Sequence, residues 1–143
     1  MYPRELTAPM AAELANAGFE ELHTSEEVTS VLSASEGTTL LVVNSVCGCA
    51  AGSCRPGVIA SLQGEVQPDR LVTVFAGVDT EATKKAREFL LPYPPSSPAI
   101  ALFKDGELVH MIERHHIERR HPEMIAANLQ AAYQEFCGSQ TLA

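Results

Sequence analysis

Of the four cysteines in the 143-residue chain, Cys47, Cys49 and Cys54 crowd one segment, and Cys137 lies near the C-terminal end. The apolar run Thr38-Thr39-Leu40-Leu41-Val42-Val43 stops at Asn44-Ser45, just before Val46-Cys47-Gly48-Cys49. Ala50, Ala51, Val58, Ile59 and Leu62 then predict a helix. A strand that ends in thiols opening a helix favours a reactive cysteine. The first amide groups of a helix lack internal partners and carry partial positive charge. They stabilise a thiolate, lower its pKa and raise the nucleophilic fraction near neutral pH. Cys47 is therefore expected to be the attacking thiol of a redox protein.

Cysteines at i and i+2 are bridged only in a narrow set of backbone shapes, because disulfides need Cα atoms about 4.4–6.8 Å apart. Gly48 between them relaxes that constraint. The ring is still small, which makes the disulfide strained and more oxidising. Two routes follow from this. Either Cys49 resolves a mixed disulfide on Cys47, or Cys47 holds the adduct until an external thiol arrives. Proximity favours the first. Cys54 is about 10 Å of helical rise beyond Cys47, outside disulfide reach, and reads as a small buried residue. Cys137 reads as a spectator.

Cys47, Cys49 and Cys54 with a histidine would make a ligand set for zinc or an iron–sulfur cluster. Cys-x-Cys-x4-Cys is not a usual zinc-ribbon spacing, however, so no metal site is expected; a metal-binding or redox-sensing module is the alternative. His115, His116 and His121 read as a solvated or capping stretch. Arg55 has two readings: it pairs with an acid, or it touches a carboxylate-bearing thiol.

The elements that must position these groups fit one domain over residues 1–143. A chain of this length buries about 70% of its unfolded surface. Net charge −8 argues against a nucleic-acid surface or a polybasic membrane anchor. No stretch reaches the roughly eighteen apolar residues of a membrane span, and Met1 to Leu6 lack signal-peptide features. A cytoplasmic location is expected, where clustered cysteines are more often catalytic or metal-binding than structural.

Thr7 to Ala17 predicts a helix stopped by Gly18, and Phe19 to Leu22 a short strand. Thr24 to Glu27 reads as a capping box ahead of Val28, Val31 and Leu32. The run 38–43 lacks alternation, as in a strand covered on both faces. Leu71 to Ala76 predicts a second buried strand. Asp79-Thr80 caps a helix carrying Ala82, Ala86, Phe89 and Leu90, and prolines 92, 94 and 95 end it. Ala99–Phe103 and Leu108–Ile112 flank Asp105-Gly106, a hairpin signal. Pro122 opens a last helix with Ile125, Leu129, Ala132, Tyr133 and Phe136 inward. The order predicts a mixed sheet with helices on both faces.

This order resembles the thioredoxin fold, a three-layer α/β/α sandwich. Ser96-Ser97-Pro98 ahead of the hairpin looks like that fold's cis-proline loop. More narrowly, Val43-Asn44-Ser45-Val46-Cys47-Gly48-Cys49-Ala50-Ala51-Gly52, Arg55-Pro56, Pro95-Ser96-Ser97-Pro98 and Arg114-His115-His116-Ile117-Glu118 resemble the bacilliredoxin family. That resemblance implies a cytosolic thiol–disulfide oxidoreductase that removes bacillithiol from protein mixed disulfides, with disulfide isomerase or oxidase activity as the alternative. Its partners would be bacillithiolated or disulfide-bearing clients and a low-molecular-weight thiol, with bacillithiol as co-substrate and no bound cofactor. Carried over by position, Cys47 attacks, Cys49 is its partner, and Pro98 is the cis-proline. Gly48, Ser97, Pro98 and Arg55 are the expected substrate contacts. A proline beside the thiols also discourages metal binding in this fold. Two departures from the resembled pattern stand out. Ala50 occupies the position of thioredoxin's second thiol. The first buried strand also lacks thioredoxin's aspartate, which leaves proton handling to Asn44, Ser45 or water.

Overall fold

The computed structural model of the chain describes residues 2–138. Its elements are α1 (Arg4–Ala15), β1 (Glu20–Glu21), α2 (Ser25–Leu32), β2 (Thr38–Asn44), a π-turn (Ala50–Cys54), α3 (Arg55–Ser61), β3 (Arg70–Phe75), α4 (Thr80–Phe89), β4 (Ala99–Lys104), β5 (Glu107–Ile112), α5 (Arg114–Ile117) and α6 (Pro122–Phe136). The sheet runs β1-β3-β2-β4-β5. β1 and β2 lie parallel to β3, whereas β4 lies antiparallel to both β2 and β5.

β2 is central, and all seven of its residues are buried. Its side chains alternate between two cores, as the two-residue period of a strand requires. Leu40 and Val42 pack with Leu14, Val58, Leu129 and Tyr133. Leu41 and Val43 pack with Val28, Val31, Ala82 and Ala86 on the opposite face. The continuous apolar run in the sequence is this double burial. α1, α3 and α6 thus cover one face, with α2 and α4 on the other.

Local chemistry sets several boundaries. Thr24 Oγ1 accepts from Glu27 N–H, and Glu27 Oε1 accepts from Thr24 N–H, completing the expected capping box of α2. Asp105 (φ 52°) and Gly106 (φ 86°) form the two-residue hairpin turn, as a type I′ turn requires. Two expectations need correction. α1 starts at Arg4 rather than Thr7, with Pro9 inside the helix. The chain ahead of it is anchored by Tyr2 N–H donating to Gly77 O, which extends the ordered segment. Asp79 stands at the N-cap position of α4 without capping it. Its carboxylate instead binds the His23 ring at 2.8 Å and accepts from Phe75 N–H.

Candidate active site

Cys47 sits where β2 has ended and the helical segment 48–61 begins. Its carbonyl accepts from Ala50 N–H at 2.9 Å and Ala51 N–H at 3.3 Å, so Cys47 occupies the helix N-cap. Its Sγ accepts from Cys49 N–H at 3.4 Å, as an N-cap side chain accepts from the second helical amide. Burial alone would push the Cys47 thiol up. The Cys49 thiol, the Cys49 amide, the Arg114 charge and the Ala50 amide together outweigh burial and hold it below its ordinary value. Cys49 goes the other way, to about 11, through burial, its hydrogen bond to Cys47 and the Cys47 charge. One thiol is thus primed and its neighbour restrained.

The helix behind them is not regular. Arg55 N–H donates to Ala50 O, five residues back, making Ala50–Cys54 a π-turn. Pro56 explains this: it has no N–H, and its ring crowds the carbonyl four residues earlier. A wider turn relieves that crowding. Gly48 is exposed, and a Cβ built there meets nothing within 4 Å, so the surface over the thiols is open.

Arg55 departs from its expected role as a substrate contact. Its side chain is 1% exposed, and Nη1 donates to Asn44 Oδ1 and Ser45 O, both at 2.9 Å. Nε lies 3.1 Å from Glu13 Oε1, near enough for the charges to pair though without an aligned hydrogen bond. It is the paired, structural reading of Arg55 that the structure displays, and a surface-bound thiol is out of its reach. Asn44 adds hydrogen bonds with Ser45 N–H and Met10 O. Ser45 Oγ accepts from Cys47 N–H at 3.0 Å. In their described hydrogen bonds Ser45 holds the Cys47 backbone rather than its sulfur, and Asn44 holds Ser45 and Arg55. They position Cys47 from the end of β2.

Ser97–Pro98 is a cis peptide bond, as expected, and Pro98 is buried. The loop is tied to Arg114, a residue not singled out as a site residue from sequence. Arg114 N–H donates to Ser96 Oγ at 3.4 Å, Nη1 to Ser97 O at 3.3 Å, and Nε to Glu118 Oε1 at 2.7 Å. The charge of Arg114 also acts on Cys47 and Cys49. One side chain thereby joins the Ser97 carbonyl to the thiol pair. A signal was available: Arg114, Arg119, Arg120, His115, His116 and His121 make 114–121 a basic island in an acidic chain.

Cys54 is fully buried, and burial pushes its thiol to about 12. Cys137 is also buried and likewise raised by burial. Neither is poised for exchange. His116 Nδ1 accepts from Glu113 N–H in the capping box of α5, and His121 is the N-cap residue of α6 without a side-chain cap. Among the described residues, the group close enough to share a metal is Glu113, His115 and His116, on the surface, and not the three thiols.

The chain matches a family profile described as disulphide isomerase over residues 2–137. It is 62% identical to a bacilliredoxin of Cytophaga hutchinsonii over 135 residues, covering 94% of this chain and 99% of that protein. It is 54% identical to a bacilliredoxin of Halalkalibacterium halodurans over 136 residues, covering 95% and 94%. Among solved structures, mitochondrial thioredoxin 3 of Saccharomyces cerevisiae superposes with TM-score 0.56 at 16% identity, covering 82% of this chain and 94% of that one. Thioredoxin O2 of Arabidopsis thaliana gives 0.56 at 15%, covering 85% and 96%. At such identities these two likenesses speak for the fold alone, which is thioredoxin-like. With the profile spanning nearly the whole described chain, and relatives this similar end to end, the chain belongs to the bacilliredoxin family.

Proposed function

We propose that this protein is a thiol–disulfide oxidoreductase that removes bacillithiol from protein mixed disulfides, with Cys47 as nucleophile and Cys49 as resolving thiol. The observation that carries the assignment of roles is the opposite displacement of the two thiols, Cys47 down and Cys49 up. The Cys47 thiolate attacks the bacillithiol sulfur of the client's mixed disulfide. A Cys47–bacillithiol bond forms, and the client leaves as a thiolate that takes a proton from solvent.

Two of the three main influences that hold Cys49 up are its hydrogen bond to Cys47 and the Cys47 charge. Once Cys47 is in a disulfide the charge is gone and the hydrogen bond loses its anionic acceptor, so Cys49 becomes easier to deprotonate at the stage when it must attack. It then loses its proton, forms the Cys47–Cys49 bond and expels bacillithiol. Two electrons pass from the dithiol to the mixed disulfide, and two equivalents of external thiol restore the pair. Gly48 leaves the approach open. The partners on this reading are bacillithiolated proteins and bacillithiol, and the setting is the cytosol. No helix among the described residues is long and apolar enough to cross a membrane.

Intact mass after a single turnover tests the assignment. Cys49→Ser should hold a stable bacillithiol adduct on Cys47, while the wild type should lose it and become two mass units lighter than the dithiol, about 2 Da for the two hydrogens of an oxidised pair. Equal adduct on both proteins would assign resolution to an external thiol. The disulphide isomerase description of the family profile favours a second use of the same pair. In that use Cys47 attacks a non-native client disulfide and is expelled by another client thiol. Recovery of activity from a scrambled substrate would detect it.

A further inference from the structure

The family reaction leaves open how an acidic protein holds an acidic thiol. Bacillithiol carries two carboxylates on its malate portion, and the chain has net charge −8. Without a local cation, the long-range field opposes its approach. The basic island at 114–121 is the exception, and within it Arg114 is the residue whose charge acts on both thiols.

We propose that Arg114 is the carboxylate-binding residue of this site, receiving the anionic end of the thiol held on Cys47 while Glu118 and Ser97 fix its guanidinium. This rests on the functional reading above and names where that substrate's charge is received. A guanidinium has five N–H donors in a fixed planar fork that matches a carboxylate with two parallel hydrogen bonds. Among the described residues, Glu118 and Ser97 account for two of these donors, through Nε and Nη1. The side chain is 45% exposed, so the remaining donors are accessible from solvent. Glu118 does not cancel the site: an exposed pair four residues apart in a helix is weak. Its effect is to hold the plane of the group in place beforehand, which lowers the entropy lost when a ligand binds. The bond to Ser97 O sets the fork at the cis-proline loop, and Val43 of β2 pairs with Ala99 of β4, so that loop lies at the end of β2 from which Cys47 follows. A thiol attached to Cys47 therefore has a cation beside its point of attachment.

The other basic groups nearby are less suited. Arg55 is buried and engaged with Asn44 and Ser45. His116 and Arg120 line a cavity of about 350 Å³ with Met111, Ile112, Met124, Ile125 and Asn128. His116 is two residues beyond Arg114 on α5, about 200° around a helix, and so faces a different direction.

The test compares release of bacillithiol with release of 2-mercaptoethanol from the same model client, both as mixed disulfides. Rates are taken on the high-pH plateau of Cys47 reactivity, so that any change in its thiolate fraction drops out, and the 2-mercaptoethanol reaction carries any remaining change in nucleophilicity. Arg114→Gln should slow the bacillithiol reaction about 10-fold more than it slows the 2-mercaptoethanol reaction, whose own loss measures what Arg114 does for the loop and the thiol. Arg114→Lys should recover part of the loss, because it keeps the charge without the fork. Added salt should slow release of bacillithiol by wild type relative to Arg114→Gln, in which screening only relieves the repulsion from the acidic chain. Equal losses with both disulfides would overturn the proposal, because Arg114 would then act only on the loop or the thiol. A wild type that releases 2-mercaptoethanol but not bacillithiol would overturn the functional reading and this proposal together. A circular dichroism spectrum unchanged in Arg114→Gln keeps a folding defect from mimicking either result.

Discussion

Cys47 is set apart by what surrounds its sulfur. Burial would keep it protonated, but the hydrogen bond from the Cys49 thiol, the amides at the helix N-terminus and the Arg114 charge together outweigh that burial. Its alkylation should therefore reach half-maximum below the roughly 8.5 of an unperturbed thiol, and at pH 6.5 it should react much faster than Cys49 or Cys137. Rates measured by peptide mass spectrometry across pH 5–10 check this, and a Cys47 no faster than Cys137 would remove it as the nucleophile. Its position was legible from spacing alone, since a strand ending in thiols ahead of a helix is a local pattern. Arg114 was not, because its importance comes from the Ser97 carbonyl and the thiols, all far from it along the chain. Arg55 was legible only as a charge near the thiols. Its burial depends on Asn44 and Glu13 arriving from β2 and α1.

At the level of elements, the thiol-bearing helix is held from behind by α6. Gly57 lies against Ile125, where a Cβ would come within 2.7 Å of the Ile125 Cβ and 3.1 Å of Pro122 O. Gly57→Ala should therefore destabilise the fold by about 1–3 kcal/mol through overpacking, measured by urea denaturation; a neutral result would mean that α3 and α6 separate easily. Ser61 Oγ and Tyr133 Oη, 2.9 Å apart, tie the same pair of helices. On the opposite face, His23 joins the loop before α2 to Asp79 ahead of α4. The Asp79 hydrogen bond raises the His23 pKa against the opposing effect of burial, with the Asp79, Glu21 and Glu27 charges adding to it. A folded-state pKa above the unfolded 6.5 means the contact stabilises fully at pH below about 6.5, and the gain is lost as pH rises through the folded value. The melting temperature of wild type should exceed that of His23→Ala by more at pH 5.5 than at pH 8.5. A difference that is constant with pH would show that His23 contributes packing rather than charge.

Across the whole molecule, the four thiols report on different depths. Cys47 and Cys49 are half-buried at the surface, whereas Cys54 is fully enclosed and Cys137 nearly so. Native protein at pH 7.5 should show one fast thiol, one slow thiol, and two that react only as the structure opens. A maleimide titration with and without denaturant counts them. Rapid native labelling of Cys54 would contradict the packing around the π-turn. Both cores share β2, and the thiols follow from its end, so the thiol pair rests on the most buried strand of the sheet. That gives it a rigid base.

The sequence by itself determined the local grammar: the doubly buried strand 38–43, the Thr24–Glu27 cap, the Asp105-Gly106 turn, and a thiol pair at a helix start. Each depends on periodicity or on backbone preferences that act within a few residues. The tertiary structure alone decided which charges meet the thiols. Arg55 turned inward because Asn44, Ser45 and Glu13 together satisfy a guanidinium that burial would otherwise strand. Arg114 came to the surface beside Cys47 because the turn after β5 returns the chain to the cis-proline loop, where the Ser96 hydroxyl and Ser97 carbonyl accept its hydrogen bonds. Electrostatic partners are chosen by distance in space, and spacing along the chain carries no record of that distance once strands cross over.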